Sequence, residues 1–199
     1  MKKSILCILG ALAVSASVSG CSMTGEPTPT VEPIDQSAVI PEMSMPIYSD
    51  YALIDGFFSY DNPDWAFSIQ LPEGSTVNND DLENVVMSIS GTFENPDTII
   101  ISKDNAPVAA DSASSLMSVI GEDKSITINA FYTLTNDNGY AGYKYTYTSV
   151  DDPQLKGIRS VYMSTDGTAY TINANIYNGG DDANVLKLNT IVDTFINRR

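Results

Sequence analysis

Histidine is absent from this 199-residue chain, and cysteine occurs only twice. Without histidine the chain lacks the commonest general base and the commonest metal ligand. Ser-His-Asp triads are therefore excluded. Cys7 lies in the first apolar run, and no thiol follows Cys21. The chain beyond Cys21 can form no internal disulfide, thiolate metal site or cysteine nucleophile. Positive charge is scarce too: ten Lys and Arg stand against 25 Asp and Glu, a formal net charge of −15. Such a chain lacks the basic footprint of nucleic-acid binding, and no Gly-rich phosphate loop follows any expected strand. The residues assign no catalytic group, no metal ligand and no cofactor.

What is present begins with an export pattern. Lys2 and Lys3 form a short positive region, Ile5 to Val14 an uncharged apolar core, and Ser15 to Gly20 are mostly small. The apolar run is shorter than the roughly 18 residues of a spanning helix, so residues 1–20 read as a cleaved signal. Val18-Ser19-Gly20-Cys21 resembles the lipobox of bacterial lipoproteins. That resemblance implies diacylglyceryl modification of the Cys21 thiol and cleavage before it. Two acyl chains, at about 0.8 kcal/mol per buried CH₂, hold a protein stably on a membrane. The expected location is the cell membrane, lipid-anchored and facing outside the cytoplasm. Loss of Lys2 and Lys3 makes the mature chain more acidic still, which suits a body held off anionic lipid by a tether.

Residues 21–47 read as that tether. Pro27, Pro29, Pro33, Pro41 and Pro46 recur among Thr, Glu, Ser and Val without helical or strand period, a composition that cannot bury enough apolar surface to order itself. Residues 48–199 are long enough for one domain with its own core.

Within that domain, Gly56 to Tyr60 and Trp65 to Leu71 read as two strands joined at Asp61-Asn62-Pro63-Asp64. A second hairpin is expected from Val85–Phe93 and Thr98–Ser102, with a helix over Asp80–Ile89 as the alternative. Ala109 to Ile120 has helical habit, with Ser112, Leu116, Val119 and Ile120 on one face and Gly121 as its stop. In the next strand Ile126, Ile128, Ala130, Tyr132 and Leu134 alternate with Thr127, Asn129, Phe131 and Thr133. Asn136-Asp137-Asn138-Gly139 is a hairpin turn. Tyr143, Tyr145 and Tyr147 follow, then strands at Ile158–Ser164 and Ala169–Tyr177. A closing helix starts at Asp181-Asp182, carries Val185, Leu188, Ile191, Val192 and Phe195 as its stripe, and ends at Arg198 and Arg199 to complement the dipole. The expected class is α+β: N-terminal hairpins, a middle helix, a four-strand antiparallel meander and a C-terminal helix packed on the sheet.

Phe67-Ser68-Ile69-Gln70-Leu71-Pro72-Glu73-Gly74, Asn138-Gly139-Tyr140-Ala141-Gly142-Tyr143 and Ile191-Val192-Asp193-Thr194-Phe195 resemble the PsbP/Mog1/DcrB-like family over residues ~50–199. The resemblance implies an α/β/α sandwich, a binding or scaffold role, and no transferable catalytic residues.

Three constellations merit weighing. The Asn136–Gly139 turn lacks the register of a calcium loop, which needs an acid at Leu134 and a glutamate at Tyr145. Asp80-Asp81, Asp151-Asp152 and Asp181-Asp182 could serve a carboxylate-dependent hydrolase, yet all lie where turns or helix starts favour Asp. Tyr143, Tyr145 and Tyr147, with Tyr162 on the neighbouring strand, form a candidate face for an envelope protein or glycan. The other reading makes them core beneath a helix. A closed apolar cavity would instead point to a small-molecule or cation carrier. The sequence thus expects a membrane-anchored, non-enzymatic binding domain.

Overall fold

The computed structural model describes residues 39–81, 83–91, 96–104, 109–120, 125–177 and 179–198. The signal, the lipobox with Cys21, the tether up to residue 38, the Gly121 helix stop and Arg199 lie outside the described residues. In chain order, β1 (Glu42–Pro46) precedes the hairpin β2 (Phe57–Asn62) and β3 (Phe67–Pro72). The short β4 (Thr76–Asn78), β5 (Asn84–Gly91) and β6 (Pro96–Asp104) follow, then helix α1 (Ala113–Ile120). Next come β7 (Ile126–Asn136), β8 (Gly139–Ser149), β9 (Lys156–Met163) and β10 (Ala169–Ile176), and finally α2 (Asp182–Asp193) and β11 (Ile196–Asn197).

The meander β7-β8-β9-β10 is the centre of an eight-stranded sheet ordered β1-β7-β8-β9-β10-β6-β5-β4. Every pairing in it is antiparallel except β1 with β7. Asn136 and Gly139 close the β7–β8 hairpin, with Gly139 at φ 103°. Such a tight turn needs a positive φ that glycine supplies at little cost. A second sheet, β11-β3-β2, has three strands.

Each face of the large sheet carries its own core. On one, α2 packs against β10, β3 and β9. Leu188, Ile191, Val192 and Phe195 bury themselves among Phe67, Ile69, Leu71, Tyr162, Tyr170 and Ile172. Phe195 is the aromatic hub, its ring centroid 4.7 Å from Tyr162 and 5.4 Å from both Phe67 and Tyr170. Asp181 caps α2 by accepting from the Ala183 and Asn184 amides. On the other face, Ala113 and Leu116 of α1 cover Phe131, Tyr143, Tyr145 and Val161. The chain is thus α+β, with a helix on each side of a largely antiparallel sheet.

Several expectations need correction. Residues 42–46, assigned to the tether, form β1, because Glu42 to Pro46 run in register beside Phe131 to Thr135. The Glu42 carboxylate also accepts from the Ala113 amide at 2.9 Å, placing an acid at the α1 N-terminus where the helix dipole favours it. Helix α1 starts at Ala113, later than expected. Ser112 and Ser115 exchange backbone-to-hydroxyl bonds at 3.1 Å there, a reciprocal cap. Val119, assigned to the buried face, is 40% exposed. From Asn84 the chain is strand, as the second-hairpin reading expected, so only the helical alternative over Asp80–Ile89 falls. A register shift between Ile128 and Ala130 breaks the single parity of β7, and Phe131 turns into the core with no exposed surface. Finally, α2 ends at Asp193 with no basic residue in its last turn. The chain folds back as β11, and Arg198 binds Ser68 and Asp61 on the small sheet.

Candidate functional site

Phe131, Tyr143, Tyr145 and Tyr147 form an aromatic ladder, with successive ring centroids 6.2, 6.5 and 5.9 Å apart. Its inner members lie under α1: Tyr143 and Tyr145 are 6% and 2% exposed. These two tyrosines are core and offer no partner face. Tyr162 is not on this face at all. Its strand neighbour Val161 pairs with Tyr143, so Tyr162 points the other way, into the α2 core. There its hydroxyl donates to the Val192 carbonyl at 3.2 Å. Burial pushes the Tyr162 phenol well above its ordinary value, reinforced by the nearby Asp193 and Tyr51 charges.

Tyr147, the outer end of the ladder, escapes the short helix. Its ring lies against Gly157 of β9, where an added Cβ would fall 2.1 Å from the ring. The missing side chain at Gly157 is what seats the ring on the sheet. Two residues along β9 stands Arg159, in register with Tyr145 on β8 and Asn173 on β10. Together with Ile126, Val119 and Ile120, these residues line a cleft of about 400 Å³ that opens to solvent at the end of α1. The size falls in the range of small-molecule sites.

Electrostatically the cleft is simple. Among the described lining residues Arg159 is the one that carries a charge. Among the described residues no carboxylate or hydrogen-bond acceptor engages its side chain. In a chain with 25 acids, a half-buried guanidinium left this way is noteworthy, since its five donors match a carboxylate fork. The Asn173 amide beside it adds a donor and an acceptor. Sequence reasoning missed Arg159. The sequence showed only that Arg159, Val161 and Met163 alternate with Ile158, Ser160 and Tyr162; the pairing of Arg159 with Tyr145 sets it on the ladder face.

The acidic pairs do not assemble into a site. Asp81 accepts from the Glu83 amide, Asp152 from Gln154 and Asp181 from Ala183, so each closes its own turn or cap. The Glu83 amide bond holds the Asp81 carboxyl below its ordinary value. Among the described residues no three His, Cys, Asp or Glu side chains gather as a metal cluster. A second cleft, about 610 Å³, is lined by Trp65, Glu83, Asn84, Ser102 and Lys103. Its cation is engaged by rings, lying 5.1 Å from Trp65 and 5.9 Å from Tyr170.

The buried polar groups near α2 hold elements together. Lys144, 1% exposed, donates to Asp193 at 2.6 Å and Asn189 at 3.1 Å and lies 4.7 Å from the Tyr132 ring. Burial pushes the Asp193 carboxyl up, against the pull of the Lys144 ammonium. Such a buried pair joins α2 to the meander while its desolvation cost offsets much of its Coulombic gain. Tyr51, whose phenol is likewise raised by burial, sits on the loop that Gln70 pins through Ile54 and Ala52.

The domain is therefore an α+β sandwich in which, among the described residues, the Arg159 cleft holds a guanidinium that no described acceptor engages. No protein-family model matches the chain, and no curated protein matches it. Among solved structures it is similar to the solution structure of cyanobacterial PsbP (CyanoP) from Synechocystis sp. PCC 6803. That likeness has 13% identity and a TM-score of 0.49, over 71% of this chain and 92% of that one. A crystal structure from Bacteroides thetaiotaomicron VPI-5482 matches at 11% identity and a TM-score of 0.39, over 73% of this chain and 50% of that one.

Proposed function

We propose that the chain is a lipid-anchored protein on the outer side of a cell membrane, displaying a non-enzymatic binding domain whose recognition site is the Arg159 cleft. The observation that carries the binding reading is the Arg159 guanidinium beside Tyr145, Tyr147 and Asn173, which no acceptor among the described residues engages. The anchoring reading is supported by the order of charged region, apolar core, small residues and Cys21. No helix of the described residues is long and apolar enough to cross a membrane. The PsbP/Mog1/DcrB-like resemblance supports an accessory role in the same direction.

Two measurements test the halves separately. A Cys21→Ser variant should leave the membrane fraction for the soluble one; continued membrane association would refute the anchor. Native mass spectrometry of the full-length chain purified from its own membrane should find a bound small molecule or peptide that the Arg159→Met variant lacks. A bound species retained by Arg159→Met would refute the cleft.

A further inference from the structure

We infer that the Arg159 cleft recognises a carboxylate carried on a flat apolar or aromatic body. The inference rests on the cleft being the domain's binding site and names the ligand class it takes. Arg159 supplies the charge: a guanidinium binds carboxylate through two parallel N–H bonds, a geometry an ammonium does not offer. Among the described residues the rest of the lining is uncharged. Tyr147 supplies a ring face held against Gly157, and Val119 and Ile126 supply apolar walls. A ring lying on Tyr147 would gain offset stacking while its carboxylate reached Arg159, with the Asn173 amide able to donate to the same oxygens.

The cleft volume of about 400 Å³ has room for a benzoate- or indole-sized acid or for the end of a short peptide. Inorganic phosphate would use the arginine and leave the aromatic and apolar walls idle. The same chemistry has two sources, a free aromatic acid and the C-terminal carboxylate of a peptide ending in an aromatic residue.

Calorimetric titration of the full-length chain in detergent micelles separates the cases. The probes are benzoate, benzamide, inorganic phosphate, and an acetyl-Ala-Phe dipeptide with a free or an amidated C-terminus. Benzoate or the free-acid dipeptide should bind with Kd on the order of 0.1–1 mM, as one charge-assisted contact plus stacking allows. Benzamide and the amidated dipeptide should bind at least about tenfold more weakly, a difference set by the charge-assisted pair. Tighter binding of the free-acid dipeptide than of benzoate assigns a peptide terminus; the reverse assigns a free acid.

Arg159→Met should weaken the acids by about tenfold or more, and Arg159→Lys should fall between, having lost the fork. Gly157→Ala leaves Arg159 in place but displaces the Tyr147 ring, and should also weaken binding, provided its melting curve stays cooperative. Equal binding of benzoate and benzamide, unchanged binding in Arg159→Met, or silence of every probe would overturn the inference. Arg159-dependent binding of phosphate alone would overturn the carboxylate assignment while leaving the cleft as a site. Membrane attachment is read independently through Cys21, so failure here does not touch the anchor.

Discussion

Replacing Leu116 by alanine removes the only large side chain of α1 that is fully buried. The other buried residue of the helix is Ala113, 5% exposed. Leu116 packs in the cluster that contains Phe131, Tyr143 and Tyr145, so its loss combines lost transfer energy with a cavity. Leu→Ala changes of this kind cost about 2–5 kcal/mol. Here the loss has a ceiling. Helix α1 has eight residues, well below the roughly 12–15 at which an isolated helix becomes even marginal. Once undocking is cheaper than a packed cavity, the helix should release and the second core, under α2, should stay folded. We expect a global loss of about 2–3 kcal/mol by urea unfolding. Hydrogen exchange should accelerate in 113–120 far more than in β9 and β10. If 113–120 kept its protection and the stability loss stayed below about 1 kcal/mol, the tyrosines would not depend on α1 for cover. The reasoning about the ladder would then fail.

Two other substitutions probe different parts of the frame. At Gly142 (φ +140°) an added Cβ would lie 1.9 Å from the Val161 carbonyl oxygen; backbone cannot yield as a side-chain tip can. Gly142→Ala should lower stability by about 3 kcal/mol or more in urea melts, and a loss within 1 kcal/mol, about the mutational average, would mean the β8–β9 spacing is soft. Asp193 gives a pH signature: burial raises its carboxyl in the folded state, so the fold holds that proton more tightly than the unfolded chain does. Its contribution is complete below the ordinary carboxylate value and is lost as pH rises through the raised one. Asp193→Asn should flatten that part of the pH–stability curve, and an unaltered curve would show that another group sets it.

The meander was legible because its parts are local. Alternation marks β8 and β10, and Asn138-Gly139 marks the turn between β7 and β8. What could not be read depends on distant pairing. Nothing near Glu42 announces that residues 42–46 will lie beside Phe131 to Thr135, and their flanking prolines suggested a tether. The shift between Ile128 and Ala130 reversed the parity of Phe131, since each one-residue slip turns side chains to the other face. The tyrosine ladder was correctly placed on one face for Tyr143, Tyr145 and Tyr147. Alternation carries no information on which face a helix covers, so α1 decided that two of them are core. Tyr162 went astray because parity cannot be carried from strand to strand without the register. Arg159 shared that obstacle: only the pairing with Tyr145 and Asn173 shows it standing in a cleft.

Arg159, which no acceptor among the described residues engages, stands ready to receive an anion, and the chain contains its own control. Arg198 is exposed and already engaged, its guanidinium 3.1 Å from Asp61. A titration of the full-length chain with benzoate, following the side-chain Nε–H resonances of both arginines by NMR, compares them in one sample. The Arg159 resonance should shift and saturate while that of Arg198 stays in place. Parallel, unsaturating drift of the two, or movement of Arg198 alone, would show that Arg159 receives no anion.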